Sequence, residues 1–156
     1  ALRMLYNTLV VPHMTYSCEV WGSTYQSNIT KIVLIQKKAL RIINNLNFRE
    51  HCDHLFNKKV LKFQELTKLK IASFMYKVKM KLQPLTIQKL FPSNHQQINT
   101  RQNSDFTLNY ARTNNKLHSL PYVGVRTWNS IPQTIRNSVS LLTFKKRLIH
   151  HLCNFT

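Results

Sequence analysis

The sequence predicts a mainly α protein: a helical bundle, then a small β-hairpin, then a C-terminal amphipathic helix. Apolar residues recur at three- and four-residue intervals over most of the chain, which is the helical period. One stretch alternates instead, with Phe106, Leu108 and Tyr110 set against Thr107 and Asn109, which is a strand pattern. At 156 residues and 43% hydrophobic content there is enough apolar surface to offset chain entropy, so a folded core is expected despite a high charge.

Leu2, Leu5, Tyr6, Leu9 and Val10 open the chain at helical spacing. Pro12 breaks or kinks this run, although proline also suits the first turn of a new helix. Met14, Cys18 and Trp21 carry the apolar stripe on, and Gly22 is a natural C-terminal stop. Ser27 or Asn28 is placed to cap the next helix by accepting from its free N–H groups. In that helix Ile29, Ile32, Val33, Gln36, Leu40, Ile43 and Leu46 share a face, while Lys31, Lys37, Lys38 and Arg41 crowd elsewhere. A short element at Cys52–Asn57 precedes a longer helix from about Phe63 to Leu82. Pro84 and Pro92 close this half.

Residues 93–104, SNHQQINTRQNS, are polar, lack a period and read as a linker. It separates a helical region, 1–92, from a hairpin-plus-helix module, 105–156. Asn114-Asn115 is the expected turn of the hairpin and Leu117–Val125 its return strand. Trp128, Ile131 and Ile135 suggest a short helix interrupted by Pro132. Trp128 is the expected centre of this half. Ser140 caps a last helix with Leu141, Phe144, Leu148 and Leu152 inward.

The charge is lopsided: 23 Lys+Arg against 5 Asp+Glu, a formal net charge of +18. Such a surplus repels itself in a compact state and points to a polyanionic partner. A two-metal polymerase or nuclease needs clustered carboxylates. Here the acids are Glu19, Glu50, Asp53, Glu65 and Asp105, and only Glu50 and Asp53 are neighbours. Two glycines, Gly22 and Gly124, cannot make a Gly-rich phosphate loop. No catalytic residue, metal or cofactor is therefore expected.

Cys18, Cys52 and Cys153 are odd in number and widely spaced, which suits a reducing, intracellular compartment better than a disulfide framework. Cys52, His54, His150, His151 and Cys153 do not have zinc-finger spacing. His13, Cys18 and Glu19 lack an oxyanion element, and Cys18 reads as a small buried hydrophobe. The apolar opening is broken by Arg3, Asn7, Pro12, His13 and Glu19, well short of the ~18 clean residues of a membrane span. It does not have the order of a signal peptide. The chain starts at Ala1 already in helical pattern, so a piece of something longer is expected.

Three basic sets are candidates for nucleic-acid contact. Lys31, Lys37, Lys38 and Arg41 lie on the amphipathic helix, where long flexible side chains suit phosphates rather than base edges. Arg101, Arg112, Lys116 and Arg126 interleave with Phe106, Tyr110 and Tyr122; cations beside aromatics suit unpaired bases, although strand alternation would bury Phe106 and Tyr110 in a core. Lys145, Lys146 and Arg147 form a third set.

Several runs, taken in order, resemble one family: YNTLVVPHMTYSCEVWG (6–22), QKKALRII (36–43), HCDHLF (51–56), NTR (99–101), Arg112-Thr113, GVRTWNSIP (124–132) and FKKRL (144–148). They are similar to the C-terminal part, thumb and post-thumb, of reverse transcriptases from LINE-like non-LTR retrotransposons. The likeness covers nearly the whole chain, and its specificity lies in order and spacing. In that family an endonuclease nicks target DNA and a palm with an Ala-Asp-Asp motif copies RNA. This chain has no adjacent Asp pair, and the zinc knuckle of some branches is unmatched. The resemblance implies a thumb-like helix carrying Lys31, Lys37, Lys38 and Arg41, and a Trp128–Pro132 run that packs the terminal module. It implies a non-catalytic fragment, degenerate or truncated, gripping template–primer or element RNA. Its partners would be RNA or DNA backbone and the palm and fingers of a parent polymerase, in nucleus or cytoplasm, with no membrane. Two other classes fit the residues: a structural module packing on an absent palm, and an unrelated basic RNA-associated protein.

Overall fold

A computed structural model describes residues 1–56, 60–92 and 105–154. The expected linker 93–104, and Arg101 within it, lie outside the described residues, as does Asn57. The chain is mainly helical, and it divides into two compact units, Ala1–Lys68 with Ile149–Thr156, and Leu69–Leu148.

The first unit opens with α1 (Leu2–Leu5), a π-helical turn (Tyr6–Val10), α2 (Val11–Thr15) and α3 (Cys18–Trp21). The π-turn precedes Pro12, which sits in the first turn of α2. Proline has no N–H for the carbonyl of Thr8, and its ring crowds that carbonyl; a widened turn relieves both. Ser17, at φ 48°, separates α2 from α3. Gly22 ends α3 at φ −69°, so it is not a left-handed stop. Its role is close approach: a Cβ there would meet the Cys18 carbonyl and lie 2.6 Å from Thr67 Cγ2.

The long helix α4 (Gln26–Ile43) starts earlier than Ser27 or Asn28 would place it, with Tyr25 at the N-cap position. It ends in a left-handed cap: Asn45 is at φ 52°, and Leu46 N–H and Asn45 N–H close back on Arg41 O and Ile42 O. A single 3-10 turn, Asp53–Leu55, stands within the expected Cys52–Asn57 element. α5 (Phe63–Lys79) begins with Glu65 Oε2 accepting the Lys62 N–H at 3.1 Å, one half of a capping box.

Two apolar clusters hold this unit. Met14, Cys18, Ile29 and Phe63 form one, with Trp21 stacked on Phe63 at 5.5 Å. Tyr6, Leu40 and Val60 form the other. Gln36, fully buried, ties the elements together. Its Nε2 donates to Tyr6 Oη at 2.9 Å and to Leu61 O at 2.8 Å, and its Oε1 accepts from Phe63 N at 3.0 Å. A carbonyl cannot donate and an N–H cannot accept, so Leu61 and Phe63 fix which way the amide points. Phe63 N–H is one of the donors a helix start leaves without an intrahelical partner.

The second unit takes α5 from Leu69 on, then α6 (Leu85–Gln88), α7 (Asn114–Leu117), α8 (Leu120–Ser130), α9 (Gln133–Arg136) and α10 (Leu141–Asn154) up to Leu148. The expected β-hairpin is absent; no strand occurs among the described residues. Asn114 and Asn115 are not a turn but the start of α7, capped when Thr113 Oγ1 accepts the Lys116 N–H. The expected return strand is the opening of α8, with Pro121 in its first turn. Gly124, Val125 and Trp128 are its buried residues, spaced three and four apart. Of the alternating run only Phe106 is buried; Leu108 and Tyr110 are exposed.

The core of this unit is a succession of rings: Phe74, Phe91, Phe106, Trp128, Phe144 and Tyr76, each in contact with the next at 4.9–6.5 Å between centroids. Trp128 is fully buried at its centre, as expected, and stacks on Phe144 at 5.7 Å. Truncating such a ring to alanine costs about 3–5 kcal/mol. Gly124 permits close packing, since a Cβ would lie 2.9 Å from Met75 Sδ. Ser140 caps α10 as expected, its Oγ accepting the Thr143 N–H at 3.2 Å.

Candidate nucleic-acid interface

Four of the five acids have structural tasks. Asp53 Oδ1 pairs with Lys37 Nζ at 2.8 Å, and its Oδ2 lies 3.2 Å from His51 Nε2. The Lys37 hydrogen bond, with the nearby charges of Lys37, His51 and Lys62, holds the Asp53 carboxyl below the usual carboxylate range, against a smaller opposing effect of burial. Asp105 Oδ2 accepts from Trp128 Nε1 at 2.8 Å, Lys79 Nζ at 3.2 Å and Arg136 Nη1 at 3.4 Å. Glu50 Oε2 accepts the Asn47 N–H at 3.1 Å, and Glu65 holds the start of α5. Among the described residues no three His, Cys, Asp or Glu side chains gather where a metal ion could sit. No helix among them is long and apolar enough to cross a membrane.

The cations expected on α4 divide into two kinds. Lys37 is half-buried in its pair with Asp53, and Arg41 Nε donates to Glu50 O at 2.9 Å, which ties the following loop to the helix. Lys31 and Lys38 are exposed, on the side of α4 opposite its buried residues. They share that side with exposed Leu34, Ile35 and Ile42, which the sequence pattern did not single out.

In the second unit Arg112, Lys116 and Arg126 are exposed. Lys116 and Tyr122 line a small cleft of about 40 Å³ together with Leu90, Pro92, Asn109 and Pro121. Arg126 lies one helical turn beyond Tyr122 on α8 and so flanks the same side. Helix capping at Thr113 and the Pro121 turn place Lys116 and Tyr122 here; a hairpin would not. Phe106 cannot stack on a base, because it is packed between Phe91 and Trp128. Tyr110 is 84% exposed. On α10 Lys146 and Arg147 are exposed and Lys145 is half-buried, with Arg147 Nη1 3.4 Å from Thr134 O.

A tyrosine, an amide and an ammonium around one small cleft suit contact at its rim with an unpaired nucleotide. The exposed cations outside it suit phosphate contact without sequence reading. In comparisons with family models, with curated proteins and with solved structures, nothing matches this chain.

Proposed function

We propose that this chain is a non-catalytic nucleic-acid-binding part of a polymerase, the thumb and post-thumb region of a LINE-like reverse transcriptase, and that it acts inside the cell, in nucleus or cytoplasm. The observation that carries the binding reading is the cleft holding Lys116 and Tyr122 together, with Arg126 beside it, in a chain four of whose five acids are engaged elsewhere. Five carboxylates cannot neutralise 23 cations, so the excess is available to phosphate. The Tyr122 side chain beside Lys116 favours unpaired over duplex ligands, since only an unstacked base offers its face to a ring. The attribution to a reverse transcriptase rests on the order of the sequence runs alone.

The test is binding of single-stranded and duplex RNA by the full chain at several salt concentrations. The expected result is log K falling linearly with log salt, with tighter binding of the single strand. Lys116→Gln with Arg126→Gln should flatten the slope by about 0.7 per lost contact. Tyr122→Ala should weaken single-strand binding by roughly tenfold, the scale of one lost stack, and leave the slope unchanged. Salt-independent binding, or none, overturns the reading.

A further inference from the structure

The outer side of α4 carries three exposed aliphatic side chains, Leu34, Ile35 and Ile42, that phosphate contact would leave unused. Successive helical residues turn by about 100°. Lys31, Leu34, Ile35, Lys38 and Ile42 therefore fall on one arc, opposite the buried Ile29, Gln36 and Leu40. Leu34, Ile35 and Ile42 are 52%, 58% and 66% exposed. Single exposed aliphatics are ordinary; here three gather on one arc of one helix, interleaved with two lysines. Along the axis the order is Lys31, then Leu34 and Ile35, then Lys38, then Ile42, so charge and apolar surface alternate about once per turn.

We infer that this arc docks an acidic amphipathic helix of another protein. Aliphatic side chains of that helix cover Leu34, Ile35 and Ile42, and its carboxylates meet Lys31 and Lys38. Charge selects this occupant. A second copy of the chain would bring +18 against +18. A phosphate backbone offers the lysines a partner but leaves three aliphatics wet. A bilayer surface favours an unbroken apolar face with lysines on its flanks; here Lys31 and Lys38 sit within the arc. A helix that alternates Leu and Glu turn by turn matches both halves of the pattern, as in paired amphipathic helices. The surface is independent of the Lys116–Tyr122 cleft, so either can fail without the other.

The experiment titrates the full chain into a labelled synthetic helical peptide with Leu along one face and Glu interleaved at one-turn spacing, read by fluorescence anisotropy. Parallel arms use the same peptide with Lys for Glu, phosphatidylserine vesicles, and sedimentation of the chain alone. Saturable binding to the Glu peptide is expected, weakened about tenfold or more by Leu34→Ser, Ile35→Ser and Ile42→Ser together. Lys31→Glu with Lys38→Glu should shift preference to the Lys peptide. These two residues are exposed, so the reversal reads the surface even if the serine variant loses helicity. No saturable binding, equal binding of both peptides, or an arc that instead mediates vesicle binding or self-association would each overturn the inference.

Discussion

Asp105 Oδ2 accepts the indole N–H of Trp128 at 2.8 Å, so a fully buried ring of the second unit is anchored by a carboxylate that also meets two cations. Lys79 completes the arrangement from above the ring, 5.7 Å from its centroid. Removing the carboxylate leaves an indole N–H and the guanidinium of buried Arg136 without that acceptor. Asp105→Ala should cost about 2–4 kcal/mol. Asp105→Asn retains an acceptor for the indole and should cost less. Urea unfolding in a Trp21→Phe background, followed by Trp128 fluorescence, measures both. Equal, near-zero costs would show the site to be incidental.

Gln36 is the corresponding anchor in the first unit. Gln36→Ala strands Leu61 C=O and Phe63 N–H and opens a cavity, so a loss of about 3 kcal/mol or more is expected. Gln36→Glu keeps the acceptor for Phe63 N–H but, when ionised, has no proton for Leu61 O. Its penalty should ease as pH falls and the carboxyl gains a proton. Chemical denaturation at two pH values, with Gln36→Met as an apolar control, separates these contributions.

The Asp53–Lys37 pair predicts a pH dependence of defined sign. The folded carboxyl titrates below its unfolded value. Its stabilisation is therefore fully present above the ordinary carboxylate pKa and is lost as pH falls through the depressed folded value. Asp53→Asn should remove that part of the acid sensitivity. Thermal melts of both proteins across the acid range provide the measurement, and parallel curves would refute it.

Lys81 occupies the left-handed position after α5, at φ 56°, where Leu82 N–H closes on Lys77 O at 2.9 Å. A side chain is disfavoured there and glycine is not. Lys81→Gly should raise stability by about 0.5–1 kcal/mol. Asn45→Gly should gain less, because asparagine tolerates this conformation. A fall in denaturation midpoint for Lys81→Gly would contradict the cap.

The helices α4 and α10 were legible because their apolar residues repeat over several turns and, for α10, Ser140 marks the start. Trp128 was legible as a core residue from its size and from Phe144 and Leu148 nearby in the pattern. The hairpin was misread where local signals are ambiguous. Thr113, Asn114, Ser119 and Pro121 are turn formers and helix starters alike, and a short apolar run such as Leu117–Val125 has no decisive period. The candidate cations were visible as a set, but their division was not. Lys37 and Arg41 are drawn inward by Asp53 and the Glu50 carbonyl, partners set by the loop's path rather than by spacing. Leu34, Ile35 and Ile42 carry no signal in the sequence, because the helical period is already satisfied by the opposite face of Ile29, Gln36 and Leu40.

The π-turn at Tyr6–Val10 lets the first unit absorb one residue of chain length. Val11 N–H reaches back five residues to Tyr6 O, so this turn holds one residue more than an α-helix would. Deleting exposed Leu9 would restore regular helix and leave the residues before it in nearly the same orientation relative to α2, because the wide turn already takes up the extra residue. Tyr6 would keep its place beside Gln36, four residues before Val11 instead of five. At this site a single in-frame codon loss is milder than in a regular helix, where it would turn the preceding residues by about 100°.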